Sequence, residues 1–157
     1  PQQRVKAPEI GKMYMFNYDP KFKDDDKILP YYDRFPAVII SDYTNNGFYG
    51  LNFHYLPLKP RAVLLDALYT VTTDKRYDKN TRFRASYQLL SGASKYDEFA
   101  PTFKRYLNSK VRGQLIEIFP SDWDIAMFLP VEQFKKAGIR KVWADSRKII
   151  AKRKGRP

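Results

Sequence analysis

The sequence predicts an α+β fold: a small antiparallel β-sheet or partly open barrel from the N-terminal half, covered by helices from the C-terminal half. Three observations carry this expectation. Runs before Pro57 alternate aromatic and β-branched residues with other residues at a period of two. Several runs after Pro57 repeat apolar residues at helical spacing. Between two of the alternating runs lies Thr44-Asn45-Asn46-Gly47, whose Asn-Gly pair accepts the positive φ of a tight hairpin turn.

The hairpin spans Phe35 to Tyr43 and Phe48 to Tyr55. Its second strand sets Tyr49, Leu51, Phe53 and Tyr55 on one face and Phe48, Gly50, Asn52 and His54 on the other, which fixes the register. Gly50 among such bulky neighbours marks a bulge or a close approach by another chain segment. Upstream, residues 1–10 are polar, basic and proline-bearing, and read as a flexible arm. Lys12 to Tyr18 alternates Tyr14, Phe16 and Tyr18 against Met13, Met15 and Asn17, a strand able to join the hairpin in a three-stranded sheet that Asp19-Pro20 ends. The following Lys21–Lys27 loop carries Asp24, Asp25 and Asp26, but lacks the spaced ligands, central glycine and terminal glutamate of a calcium loop. A solvated connection is expected.

After Pro57, Pro60 suits a first helical turn, and Arg61 to Val71 places Leu64, Leu65, Leu68 and Tyr69 on one side of a core helix. Thr81 caps a second helix, in which Phe83, Tyr87 and Leu90 share a face before Gly92 stops it. Pro101 opens a third, with Phe103, Tyr106 and Leu107 inward. Gln114 to Phe119 alternates as a strand at the sheet edge, ended by Pro120. Ser121 and Asp122 cap a short helix with Ile125, Phe128 and Leu129 up to Pro130. Val131 to Ala137 forms another helical turn closed by Gly138. A last amphipathic helix from Ile139 buries Val142, Trp143, Ile149 and Ile150, and residues 151–157 form a basic tail. With neither repeat nor long linker, residues 1–157 are expected to form a single domain.

The 157 residues carry 29 Lys and Arg against 17 Asp and Glu, a net charge of +12, which predicts attraction to nucleic acid or an acidic protein surface. Much of it is concentrated at the end. From Lys135 to Pro157 ten cations face the single acid Asp145, a net of nine positive charges. Arg140, Lys141, Arg147, Lys148, Lys152, Arg153, Lys154 and Arg156 are the candidate contacts for a partner or for nucleic acid. With no cysteine there is neither a disulfide nor a thiolate site, and with no long apolar run no membrane partner is expected.

Enzyme signatures are not in view. His54 is the only histidine, so a histidine-dependent triad or a histidine-rich metal site cannot be assembled. Asp33 beside Arg34 reads as a local salt bridge or a cap at a bend. Asp122 with Asp124, and Asp97 with Glu98, stand two and one apart and do not converge on a helix face. No catalytic residue, cofactor or metal is expected. The strand aromatics read first as core and interface, and second as a stacking platform for single-stranded nucleic acid.

At PYYDRFP, GLNFHYLP, PSDWDIAMFLPVEQF and KVWADS, the chain resembles small proteins of T4-like tailed bacteriophages, from about Gly11 to Lys148. The resemblance implies a phage origin and, for a small member without catalytic function, a virion or morphogenesis protein of the tail, baseplate or neck. Such a protein is assembled in the host cytoplasm into the virion, in multiple copies, and binds other phage structural proteins through aromatic strands and basic termini. The alternative is a phage nucleic-acid-binding protein in replication, recombination, transcription or genome-end handling.

Overall fold

The computed structural model describes residues 4–5, 8–93, 99, 102–128 and 132–154. The expected α+β class is what it shows. The strands are β1 (Arg4–Val5), β2 (Met13–Tyr18), β3 (Tyr32–Asp33), β4 (Ala37–Thr44), β5 (Gly47–Asn52), β6 (Phe103–Leu107), β7 (Val111–Ile118) and β8 (Phe134–Lys135). The helices are α1 (Leu58–Thr73), α2 (Lys79–Ala93), α3 (Trp123–Phe128) and α4 (Ile139–Lys154). Strands β1-β7-β2-β4-β5-β6, in that order, make an open antiparallel sheet, and β3 pairs with β8 in a separate ribbon.

The period-two pattern divides the core between the two faces of the sheet. Met13, Met15, Ile39 and Leu51 join Leu64, Leu65 and Leu68 of α1, Leu90 of α2, and Trp123 and Met127 of α3 in one buried cluster. On the opposite face Tyr14, Phe16, Tyr18, Val38, Ile40, Phe48 and Tyr106 form a second. There Phe16 meets Phe48 and Tyr106 edge-on at centroid distances of 5.6 and 5.4 Å, a favoured aromatic arrangement. These strand aromatics are core, as their alternation suggested.

The hairpin forms with Thr44 opposite Gly47, so Asn45 and Asn46 are the turn residues. Gly47 is needed for a different reason from the one expected, because it does not hold a positive φ. A Cβ there would lie 1.8 Å from the Tyr106 carbonyl oxygen, where β6 packs on β5. Gly50 meets both expectations at once: a Cβ would fall 2.3 Å from Val38, and the β4–β5 register shifts between Ile40 and Asp42 beside it. Gly47→Val is therefore expected to lower unfolding free energy by about 1–3 kcal/mol through overpacking against backbone, read as a lower urea midpoint.

Further readings are corrected, among them the Thr81 cap: α2 begins at Lys79, and Asp78 Oδ1 accepts from the Thr81 backbone amide (2.7 Å). Residues 103–107 are strand β6 rather than a helix opened by Pro101, because β5 offers them a free edge and the register Leu51 to Phe103 through Gly47 to Leu107 satisfies both backbones. Strand β7 is interior rather than an edge, lying between β1 and β2. Phe134–Lys135 pairs with Tyr32–Asp33 instead of forming a helical turn. The second hairpin strand stops at Asn52, and Phe53–Tyr55 turns as a 3₁₀ helix with the Asn52 side chain accepting from the His54 amide. Ser121 and Asp122 lie in a 3₁₀ turn that leads into α3. Asp97, Glu98, Pro101, Leu129, Pro130 and Val131 lie outside the described residues, as do residues 1–3, 6–7 and 155–157.

Candidate nucleic-acid interface

Helix α4 docks by one side. Val142 and Ser146 are buried, Ser146 Oγ donates to the Tyr55 carbonyl (2.9 Å), and Trp143 Nε1 donates to the His54 carbonyl (2.9 Å). At 100° per residue this places Arg140, Lys141, Arg147, Lys148 and Lys152 on the outward arc, and all five are exposed. Lys141 is paired with Asp145 at 2.9 Å, one turn on. Arg153 and Lys154 continue the helix backbone, but their side chains, and the whole of Arg156, lie outside the described residues. Ile149 remains 43% exposed beside the basic arc rather than buried.

The dock beneath α4 is polar. Arg61, fully buried on the leucine stripe of α1, donates to the carbonyls of Leu56 (2.9 Å), Met127 (2.5 Å) and His54 (3.5 Å) and to Glu132 Oε1 (3.2 Å). Trp143 covers its guanidinium at 5.5 Å. Asp33, also buried, accepts from the Asn52 amide (3.0 Å) and the Phe35 backbone (3.0 Å) and contacts His54 Nδ1 at 2.6 Å. Burial would raise the Asp33 pKa, but the His54 contact and the hydrogen bonds from Asn52 and Phe35 outweigh it and hold the carboxyl below its ordinary range. Asp33 thus caps the bend at Phe35, as one of the two readings of it proposed, and its side-chain partners are His54 and Asn52 rather than Arg34. His54 is wholly buried in this network.

A second cationic region lies where the β2–β3 loop meets the β6–β7 end of the sheet. Arg34, Lys135, Arg112 and Lys23 line a cleft of about 620 Å³, in which the carboxylate of Asp19 is shared by Lys23 (2.8 Å) and Arg112 (3.5 Å). Tyr18 and Tyr32 form its wall and also line an adjoining cavity of about 400 Å³ that contains Tyr55, Lys104 and Tyr106. Lys104 Nζ stands 4.2 Å over the Tyr55 ring, and burial alone pulls its pKa down to about 8. Two of the loop carboxylates are engaged: Asp25 accepts from the backbones of Lys27 and Ile28, and Asp26 pairs across the fold with Lys136 at 2.7 Å.

The structure therefore places five of the predicted C-terminal cations, Arg140, Lys141, Arg147, Lys148 and Lys152, on one helix face and reveals a separate group that the sequence does not single out. Lys104 is hidden by the helical reading of residues 103–107. As a strand, FKRYL puts Lys104 and Tyr106 on one side, and that alternation was the available signal. Arg34, Lys135 and Arg112 converge only through the β3–β8 pairing and the interior position of β7.

A family model described as phage T4 terminal DNA protecting protein matches residues 2–152. No curated protein and no solved structure matches the chain. The kinship with T4-like phages stands, but the expectation of a structural subunit of tail, baseplate or neck is overturned by the family's description, which concerns DNA and its termini.

Proposed function

The chain belongs to the phage T4 terminal DNA protecting protein family, and from that membership we propose that it binds the ends of linear DNA and shields them. The family match over residues 2–152 is the observation that carries the reading. The chemistry of the surface supports it. A net charge of +12, with five exposed cations on α4 and four more lining the cleft, suits phosphate neutralisation and the release of condensed counterions. Shielding needs occupancy and no bond-breaking step, so the protein acts by binding rather than by catalysis, with DNA as its partner.

A competition experiment tests this. At physiological salt, a labelled linear duplex should be displaced by unlabelled linear duplex and poorly by the same duplex closed with hairpins at both ends. Equal competition would remove the end-specific reading. Replacing Arg140, Arg147, Lys148 and Lys152 together with Gln should flatten the dependence of log affinity on log salt by up to about 3.6, since each neutralised phosphate adds roughly 0.9 to the slope. Because these side chains are exposed, the melting temperature should hold. A full salt slope in that variant would move the DNA-binding surface off α4.

A further inference from the structure

We propose that the cavity beside Lys104 takes the terminal nucleotide of a DNA strand, its base stacked among the tyrosines and its phosphate paired with the Lys104 ammonium, while the strand leaves over the neighbouring cationic cleft. The proposal rests on the end-binding reading above and names the site that makes an end different from the middle of a duplex.

The cavity is of a suitable size, since small-molecule sites begin at roughly 300 Å³ and this one measures about 400 Å³. Its lining includes the rings of Tyr18, Phe22, Tyr32, Tyr55 and Tyr106, and Phe22 is 43% exposed with Lys21 Nζ 5.3 Å from its ring centroid. Bases of any sequence stack on such faces, as an end-binding protein blind to sequence requires. Lys104 lines the same cavity. Among the described residues no carboxylate lies within salt-bridge range of it, and its only close charge-stabilising neighbour is the Tyr55 ring. A half-buried ammonium with no carboxylate beside it suits an incoming anion, and a phosphate is the anion a nucleotide brings.

The surroundings choose the ligand. An acidic peptide would satisfy the cations and leave the tyrosine walls unused, whereas an apolar molecule would strand Lys104. A nucleotide uses both. Because Tyr18 and Tyr32 belong to the cavity and the cleft alike, a strand whose last base sits in the cavity runs its backbone toward Arg34, Arg112 and Lys135. Only an end can enter this way at little cost, since a terminal base has one stacking neighbour to leave and an internal base has two.

The sign of the pH effect follows from Lys104. Only its protonated form pairs with phosphate, so affinity for ends should be full below about pH 8 and fall as the pH rises through that value. The other groups facing the cavity are Asp33, whose pKa is held low, Tyr18, Tyr55 and Tyr106, whose pKa values burial raises, and Tyr32, Lys21 and Arg105.

The test uses the full chain and a duplex carrying 2-aminopurine at its terminal position or at its centre. Wild-type protein should change the fluorescence of the terminal probe and not the central one. Phe22→Ala and Lys104→Met should each weaken binding of the ended duplex by roughly 5- to 100-fold, the span that a single stacking or phosphate interaction covers. Lys104→Arg should retain affinity and lose the fall above pH 8. Phe22 is exposed, so its variant remains informative if the Lys104 variants fold poorly. If wild type prefers open over hairpin-closed duplex, yet the terminal probe is silent and Phe22→Ala binds normally, the cavity assignment is wrong and end binding stands. If wild type shows no such preference, both fall.

Discussion

Arg61→Met is expected to destabilise the protein by about 3–5 kcal/mol, the range for removing one partner of a buried charge pair. The guanidinium is fully buried and is the shared donor for three carbonyls on two chain segments, Leu56 and His54 on one and Met127 on the other, besides Glu132. Methionine fills much of the space and satisfies none of them. Each orphaned carbonyl then bears its own desolvation cost, and Glu132 is left as an unpaired carboxylate. Arg61→Lys should rescue little, because a single ammonium cannot span acceptors that a planar fork reaches together. Adding Glu132→Gln to Arg61→Met should recover part of the loss by removing the stranded charge, and urea titration of the two single variants and the double gives the coupling directly. A loss under 1 kcal/mol for Arg61→Met would mean that the network does not hold α1 to the 54–56 turn and α3.

Asp33→Ala is expected to cost on the order of 3 kcal/mol, because it leaves the Asn52 amide and the His54 ring without their shared acceptor inside the protein. The pH dependence of the wild type supplies a second readout. The folded-state pKa of Asp33 is depressed, so its stabilisation is present above the ordinary carboxylate range and is lost as pH falls through the folded value. Urea midpoints measured from about pH 6 down to pH 3 should therefore fall more steeply for wild type than for Asp33→Ala. Parallel curves would show that the carboxylate gains nothing from its partners.

Local periodicity made the first strand, the hairpin, α1, α2 and α4 legible, since each buries one face whose spacing is written into consecutive residues. Strand β6 was not legible, because Phe103, Tyr106 and Leu107 satisfy a helical face as well as a strand, and only the free edge of β5 decides between them. The short β3–β8 ribbon has no pattern of its own, as two residues on each side cannot display a period. The site divides in the same way. The basic arc of α4 was visible as a charge run on an amphipathic helix. The cavity and cleft draw on residues from Asn17 to Lys135, and no local signal announces that segments so far apart will meet. Arg61 could have been noticed, since it stands three before Leu64 and seven before Leu68, on a stripe where a cation has no place unless it is fully bonded. The choice between a protein neighbour and DNA as partner was beyond reach from charge alone, because a basic surface attracts either.

A protein that guards termini rather than coating DNA should distinguish two kinds of entry point on one linear duplex. One nuclease enters at the ends and another at a single internal nick, each with protein supplied at a few copies per end. Digestion from the ends should stop while digestion from the nick proceeds at its unprotected rate. Equal slowing of both, or of neither, would show that the protein does not guard termini.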